Sequence, residues 1–291
     1  MLPASVMFQK INDFASAHPD ILAAYLNGSR TNPSAPRDLY QDYDLVYVTA
    51  DIQRYIHDKS WISYFGEIAV MQEPDCSELF PSERDPSLAY AFLMQFQNGD
   101  RIDLTFQHPD LAKTACLEDR LTVLLFDKAG VLPPIPSATD ETHWIKRPTQ
   151  QHFTARCNEF WWVAPYVAKG LARNELLYAS DMLTQVRGEL LTMLSYLAAS
   201  EHGFTISTGK SFKYLPGYLS DSWMQPLAET FAPLEQEALW NALFSTCHLM
   251  SRAARAVSQA LGFTYNVQEE KGSLQHMENV RYGRYHLEET P

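Results

Sequence analysis

The sequence lacks long apolar runs, which excludes the commonest kind of membrane protein. No stretch approaches the roughly eighteen apolar residues that a membrane-spanning helix needs. Residues 1–14 also lack the basic start and the uninterrupted apolar core that are typical of a signal peptide. We therefore expect a protein that has no membrane partner and works in the cytoplasm.

Cysteine is scarce as well, with four residues in a chain of 291 and no CxxC pair among them. The nine histidines are scattered and show no metal-ligand spacing. This pattern argues against a zinc site and against a disulfide framework. We expect the four cysteines to be buried thiols, namely Cys76, Cys116, Cys157 and Cys247.

Positive charge is under-represented in the first half of the chain. Residues 1–140 carry 20 Asp and Glu against 10 Lys and Arg, whereas residues 141–291 carry 15 against 13, for a net charge of -12. An acidic first half repels the nucleic-acid backbone, so we expect no nucleic-acid partner. The same charge suits bound Mg²⁺ and a cationic small molecule.

Apolar residues make up 46% of the sequence, which is enough for two domains with separate cores. The spacing of apolar residues in the first half alternates between strand-like and helix-like segments. We predict strands over 21–26, 44–49, 67–71, 89–96 and 101–106, and helices over 5–15, 52–64 and 110–122.

The second half is predicted to be entirely helical. Helical spacing extends over 149–170, 173–202, 221–231 and 234–262, and the polar segment after residue 262 is predicted to be loose. A Pro-rich segment over 131–140 separates the two halves. We predict an α/β domain over 1–138 with a mixed sheet, followed by a helical-bundle domain over 139–291.

Two short motifs in the first half carry chemical information. Gly28 and Ser29 follow an apolar strand, and such a turn can bring backbone N–H groups and a hydroxyl close to a phosphate. Asp42 and Asp44 are two residues apart at the head of the next strand, so both carboxylates should lie on one side of it. Two such carboxylates can share divalent cations.

A third acid fits the same scheme. In the strand 101–106, the residues Ile102, Leu104 and Phe106 alternate with a polar face that carries Asp103. If this strand lies beside the one that begins at Asp44, three carboxylates converge. At that density they repel one another unless cations neutralise them. Carboxylates for a metal and a Gly-Ser turn for phosphate together indicate nucleotide chemistry.

The set of motifs resembles the DNA polymerase β-like nucleotidyltransferase superfamily. A finer resemblance, to the aminoglycoside 6-adenylyltransferases, covers roughly residues 20–220. It is carried by "LNGSRTNP", "YQDYDLVYV", "GDRIDLTF", "NEFWWVAPYVAKGLARNELLYA" and "GKSFKYL". The phrase around Trp161-Trp162 separates this family from most other nucleotidyltransferases.

The resemblance implies transfer of AMP from Mg²⁺-ATP to a hydroxyl of streptomycin, most simply its 6-hydroxyl, with release of pyrophosphate and resistance to the drug. It implies that Asp42 and Asp44 bind two Mg²⁺ ions and that Asp103 is the third acid, as general base, metal ligand or both. Gly28, Ser29 and Arg30 then belong to the nucleotide site. The expected partners are ATP and a cationic aminoglycoside, with the chain acting as a monomer or a weak dimer.

One stripe of the helix 149–170 differs from a plain solvated face. Glu159, Trp162, Tyr166 and Lys169 are three, four and three residues apart, and an exposed face rarely carries Trp and Tyr. We predict that Lys169 and Lys210 bind the triphosphate of ATP. The residues predicted to bind the acceptor are Glu159, Trp162, Tyr166 and Asp181.

Two other functions stay open on the sequence alone. A nucleotidyltransferase of the same fold could act on another aminoglycoside, a lincosamide or a protein hydroxyl, and acceptor profiling separates these cases. A binding module without catalysis would need no three converging acids, so intact Asp42, Asp44 and Asp103 argue against it.

Overall fold

The computed structural model describes residues 1–79 and 84–285. The chain forms two compact units, Met1–Thr142 and His143–Pro291. The boundary between the units follows directly after the Pro-rich segment over 131–140.

The first unit is built on one mixed sheet of six strands in the order β3-β4-β5-β2-β1-β6. Neighbouring strands are antiparallel except for β2 and β5, which pair in parallel at the centre of the sheet. The strands are β1 (Ile21–Asn27), β2 (Tyr43–Thr49), β3 (Ile68–Gln72), β4 (Ala89–Phe96), β5 (Arg101–Gln107) and β6 (Val123–Asp127). The helices are α1 (Ala4–Ala17), α2 (Ile52–His57) and α3 (Pro109–Glu118).

Strand β5 has the strict alternation that its sequence predicts. Ile102, Leu104 and Phe106 are fully buried, and the residues between them are partly exposed. Phe106 stacks on Tyr55 of α2 with ring centroids 4.1 Å apart. Burying three apolar side chains of this size stabilises the strand by several kcal/mol, on the order of 1.5–3 kcal/mol each. The apolar face therefore fixes β5 in register and holds Asp103 on the opposite face.

Two predicted helices of the first unit are shorter in the structure. The segment 52–64 divides into α2 and a 3₁₀ turn over Ser60–Tyr64, and the Asp58 carboxylate accepts a hydrogen bond from the Ser60 N–H between them. Helix α3 ends at Glu118, and the apolar residues that follow form β6 rather than a further helical turn. Strand β6, for which no element was predicted, pairs with β1, and this pairing supplies its backbone hydrogen-bond partners.

The second unit is helical, as predicted. Its helices are α4 (Gln150–Ala172), α5 (Leu176–Glu201), α6 (Asp221–Ala228), α7 (Gln236–Leu261) and α8 (Val267–Arg281). Helices α4, α5 and α7 bury one continuous apolar core. Pro165 lies inside α4, where it removes one backbone donor and favours a kink.

The prediction of a loose segment after residue 262 is wrong for most of its length. Helix α8 begins after Asn266, whose side-chain oxygen accepts hydrogen bonds from the N–H groups of Gln268 and Glu269. Met277 is fully buried against the helical core, and Glu270 pairs with Arg255 at 2.7 Å. Residues 286–291 of the same segment lie outside the described residues.

The structure also shows where the four cysteines lie. Cys116, Cys157 and Cys247 are buried as predicted, but Cys76 is exposed in a 3₁₀ turn at the edge of the first unit. Within the described ranges, none of the helices is long and apolar enough to cross a membrane.

Candidate active site

The parallel pairing of β2 and β5 brings two of the predicted acids side by side. Asp44 and Asp103 are direct partners in the strand register. Adjacent strands lie about 4.8 Å apart, so the two carboxylates are close enough to repel each other. Asp42 lies two residues before Asp44, at the entrance to β2. The three acids therefore meet at one end of the central strand pair.

Arg101 neutralises part of this cluster, and the sequence reasoning gave it no role. Its guanidinium donates to both carboxylate oxygens of Asp103, from Nε to Oδ1 at 2.9 Å and from Nη2 to Oδ2 at 2.8 Å. The same Nε lies 3.6 Å from Oδ2 of Asp42. One cation thus bridges two of the three acids. Its placement is predictable, because residues two apart in a strand share a face.

The electrostatics of the cluster concentrate on Asp44. The pKa of this carboxyl is raised from 3.8 to about 6, chiefly by burial and then by the negative charges of Asp103 and Asp42. Arg101 and Arg30 oppose the shift but do not cancel it. An anion in such surroundings gains from any added cation, so Asp44 is the position in the cluster that favours a bound cation most strongly.

The turn after β1 is shaped to leave room for Asp44. Asn27 pairs with Asp44 in the register, and Gly28 follows with φ of +75°. A Cβ at residue 28 would lie 2.8 Å from Cγ of Asp44 and nearer still to its Oδ2. Both the backbone conformation and the close approach therefore require glycine. The hydroxyl of Thr31 donates to the Gly28 carbonyl at 2.8 Å and closes the turn.

Arg30 fixes the loop that carries Asp42. Its guanidinium lies over the Tyr43 ring, 3.8 Å from the centroid, and donates to the carbonyls of Gln41 and Asp42. The Gln41 side chain in turn donates to the Ser29 carbonyl at 3.2 Å. These contacts tie the Gly-Ser turn to the start of β2. In this structure Arg30 therefore holds the loop before β2 in its conformation.

The donor set suits a hard divalent cation. Carboxylate oxygens are the ligands that Mg²⁺ prefers in proteins, and the negative charges of Asp103 and Asp42 both act on the Asp44 carboxyl. In residues 1–79 and 84–285 no group of three or more His, Cys, Asp or Glu is already arranged to hold a metal ion. The Arg101 guanidinium lies between Asp42 and Asp103, where it supplies positive charge that a metal ion would otherwise supply.

The predicted contact residues of the second unit fall into two groups. Trp162, Tyr166 and Lys169 line one pocket on α4, together with residues of α8. The remaining three residues lie outside that pocket and are exposed, namely Glu159 on α4, Asp181 on α5 and Lys210 in a 3₁₀ turn. Asp181 accepts a hydrogen bond from Gln185 at 3.3 Å. The side of the pocket formed by α8 could not be foreseen from a segment that was predicted to be loose.

The mixed sheet, the three acids and the glycine turn define the class of the protein as a nucleotidyltransferase. The family model for streptomycin adenylyltransferase matches residues 1–280. The chain belongs to the streptomycin adenylyltransferase family, and it is accordingly an enzyme of the adenylyltransferase class.

Two sequence relatives agree with this assignment. An aminoglycoside 6-adenylyltransferase of Bacillus subtilis (strain 168) is 37% identical over 255 residues, which span 87% of this chain and 89% of the relative. The enzyme of the same description from Staphylococcus aureus is 34% identical over 257 residues, 88% of this chain and 90% of the relative. A crystal structure of an aminoglycoside 6-adenyltransferase from Bacillus subtilis is 31% identical and covers 97% of this chain and 99% of its own, with a TM-score of 0.48.

Proposed function

We propose that the protein transfers AMP from ATP to the 6-hydroxyl of streptomycin, releases pyrophosphate and thereby confers resistance. The relatives are described as aminoglycoside 6-adenylyltransferases, which supports an aminoglycoside as the acceptor. The observation that carries the proposal is the cluster in which Asp44 lies beside Asp103, with Asp42 at the entrance to the same strand. We infer that the reaction takes place in the cytoplasm, where ATP is available.

The reaction follows from the chemistry of these groups. The acceptor hydroxyl oxygen forms a bond to the α-phosphorus of ATP, the bond from that phosphorus to the oxygen bridging to the β-phosphate breaks, and pyrophosphate leaves. Two Mg²⁺ ions held by Asp42 and Asp44, with Asp103 as third acid, would neutralise the charge that develops on the attacking and leaving oxygens. The proton of the acceptor hydroxyl passes to the Asp103 carboxylate.

Arg101 determines how Asp103 can take part. Its two hydrogen bonds hold the plane of the Asp103 carboxylate in one orientation. Each oxygen keeps a second lone pair, which can accept a hydrogen bond from the acceptor hydroxyl. The bidentate pair therefore keeps these lone pairs pointing in a fixed direction as long as Arg101 stays bound.

The turn at Gly28 supports a phosphate site at the same place. Because no side chain separates this backbone from Asp44, a phosphate bound near the Asp44 carboxylate can also reach the N–H groups and hydroxyl of the turn. Ser29 is then the hydroxyl donor, and Arg30 contributes by holding the loop. Lys169 and Lys210 stay predictions as triphosphate ligands.

The proposal is tested by pyrophosphate release from ATP and Mg²⁺, with and without streptomycin. We expect release that depends on streptomycin in the native enzyme and in Glu67→Gln, which changes an exposed acid of the same unit. The Asp44→Asn variant should lose this streptomycin-dependent release. Full activity in Asp44→Asn would refute the assigned site. Release with a lincosamide or another aminoglycoside, but not with streptomycin, would keep the mechanism and reject the acceptor.

A further inference from the structure

The second unit contains a pocket between α4 and α8 whose volume is about 390 Å³. This volume lies in the range of small-molecule sites, roughly 300–1,000 Å³. The indole rings of Trp161 and Trp162 and the ring of Tyr166 are part of its lining, with polar groups supplied by Glu269 and His276 among others. The pocket is thus aromatic, with a few polar groups.

Trp161 is held in place by hydrogen bonds to α8 and to the segment before it. Trp161 is buried, its indole Nε1 donates to the hydroxyl of Tyr265 at 2.8 Å, and its carbonyl accepts a hydrogen bond from Ser273 at 2.8 Å. These bonds join α4 to α8 and to the segment before it. Trp162, in contrast, is 65% exposed. Leaving so large an aromatic side chain in water is unfavourable. A fixed indole next to an exposed one provides a surface for a planar ligand.

Glu269 gives the pocket its chemical preference. Its Oε2 atom is buried and has no hydrogen-bond partner among the described residues. The carboxylate of the next residue on α8, Glu270, has partners by comparison, because it accepts hydrogen bonds from Arg255 and Ser251. A buried carboxylate oxygen without a partner is unfavourable. Glu269 as a whole is half-buried and lines the pocket, so a rotation of its side chain would bring that oxygen to an N–H donor bound there.

The other charged groups at the pocket limit what can bind. Lys169 is exposed at the rim, and its Nζ lies 5.3 Å from the centroid of the Tyr166 ring. His276 is engaged through Nδ1 with the hydroxyl of Tyr285 at 2.8 Å. An anionic ligand would therefore meet one rim lysine and a repelling inner carboxylate. A neutral nucleobase would donate a hydrogen bond but leave the charge of Glu269 uncompensated.

We propose that this pocket binds a guanidinium group of the acceptor, with Glu269 as its carboxylate partner and Trp162 as its stacking surface. A guanidinium is planar, donates in a fork that matches a carboxylate, and stacks on aromatic faces. The identity of the ligand rests on the proposed function, because streptomycin carries guanidinium groups.

Titration calorimetry on the full chain without ATP tests this proposal, because binding is then measured apart from turnover. The Glu269→Gln variant should weaken streptomycin binding about ten- to a hundredfold, as expected for loss of a hydrogen bond to a charged group. Trp162→Ala should weaken it about two- to fivefold. Glu278→Gln, which changes an exposed acid of the same helix, should have no effect. The affinity for kanamycin, which has amines but no guanidinium, should be the same in the native chain and in Glu269→Gln.

Unchanged streptomycin affinity in Glu269→Gln would overturn the assignment of the pocket, and so would a native enzyme that binds no streptomycin. A loss of AMP affinity in Glu269→Gln, with streptomycin unaffected, would reassign the pocket to the nucleobase. Pyrophosphate release that still depends on Asp44 in these cases would show that the proposed reaction stands while the pocket inference fails. Melting curves of each variant check that the loss of binding is not a loss of fold.

Discussion

Asp44 should destabilise the first unit when no metal is present, and its replacement by asparagine should therefore raise stability while it removes activity. The pKa of this carboxyl is raised from 3.8 to about 6, chiefly by burial and then by the charges of Asp103 and Asp42. A difference of about two units corresponds to about 3 kcal/mol at neutral pH, at 1.36 kcal/mol per unit. The free energy of unfolding of Asp44→Asn should thus exceed that of the native chain by up to about 3 kcal/mol at pH 7 in EDTA.

The pH dependence of this effect has a definite sign. Above pH 6 the carboxyl is ionised in the folded and unfolded chains, and the full destabilisation is present. As the pH falls from about 6 to about 4, the folded chain binds the proton first, so the contribution of Asp44 to stability rises. The advantage of Asp44→Asn over the native chain should therefore shrink over this range and vanish below it.

Hydrogen exchange read by mass spectrometry is the suitable assay, because it reports each unit separately. A gain of 3 kcal/mol slows the exchange of globally protected amides about a hundredfold, and we expect this in peptides from β2 and β5. Peptides from α5 and α7 serve as the internal control, and Glu67→Gln serves as the matched variant. Addition of Mg²⁺ should slow exchange in the native chain but not in Asp44→Asn. Faster exchange in Asp44→Asn at pH 7 in EDTA would refute the reasoning.

Three other changes test separate parts of the account. Gly28→Ala should lower the rate of AMP transfer about a hundredfold by displacing the Asp44 carboxylate, and a native rate would contradict the close approach. Arg101→Gln should tighten Mg²⁺ binding without nucleotide by about tenfold, because a competing cation is removed; calorimetry showing equal or weaker binding would contradict this. In the native protein only Cys76 should react rapidly with a thiol reagent, since burial raises the pKa of the other three thiols, and a second fast thiol in mass spectra would disagree.

The strands and long helices could be predicted because their apolar spacing is regular. Strand β5 is the clearest example, since alternate residues from Ile102 to Phe106 are buried. Strand β6 was missed because a short apolar run that follows a helix looks the same whether it continues the helix or joins a sheet. Helix α8 was missed because Glu270 and Met277 are its only residues classed as buried, which leaves little helical periodicity to detect.

The candidate site could be predicted in part. The Asp42-x-Asp44 spacing and the polar face of β5 indicate which acids can come together. The parallel pairing of β2 with β5 depends on the tertiary structure and cannot be read from the sequence. The role of Arg101 also needed that pairing, although its place two residues before Asp103 is visible in the sequence. The contacts of Trp162 with the α8 side of its pocket could not be derived, because the partner helix was not predicted.

Mass spectrometry of streptomycin after incubation with the enzyme, ATP and Mg²⁺ tests the central claim most directly. The account predicts streptomycin heavier by one adenylyl group, formed by the native enzyme and by Glu67→Gln but not by Asp44→Asn. Fragmentation should place the added group on the 6-hydroxyl. Unmodified streptomycin with the native enzyme, or equal product with Asp44→Asn, would contradict it.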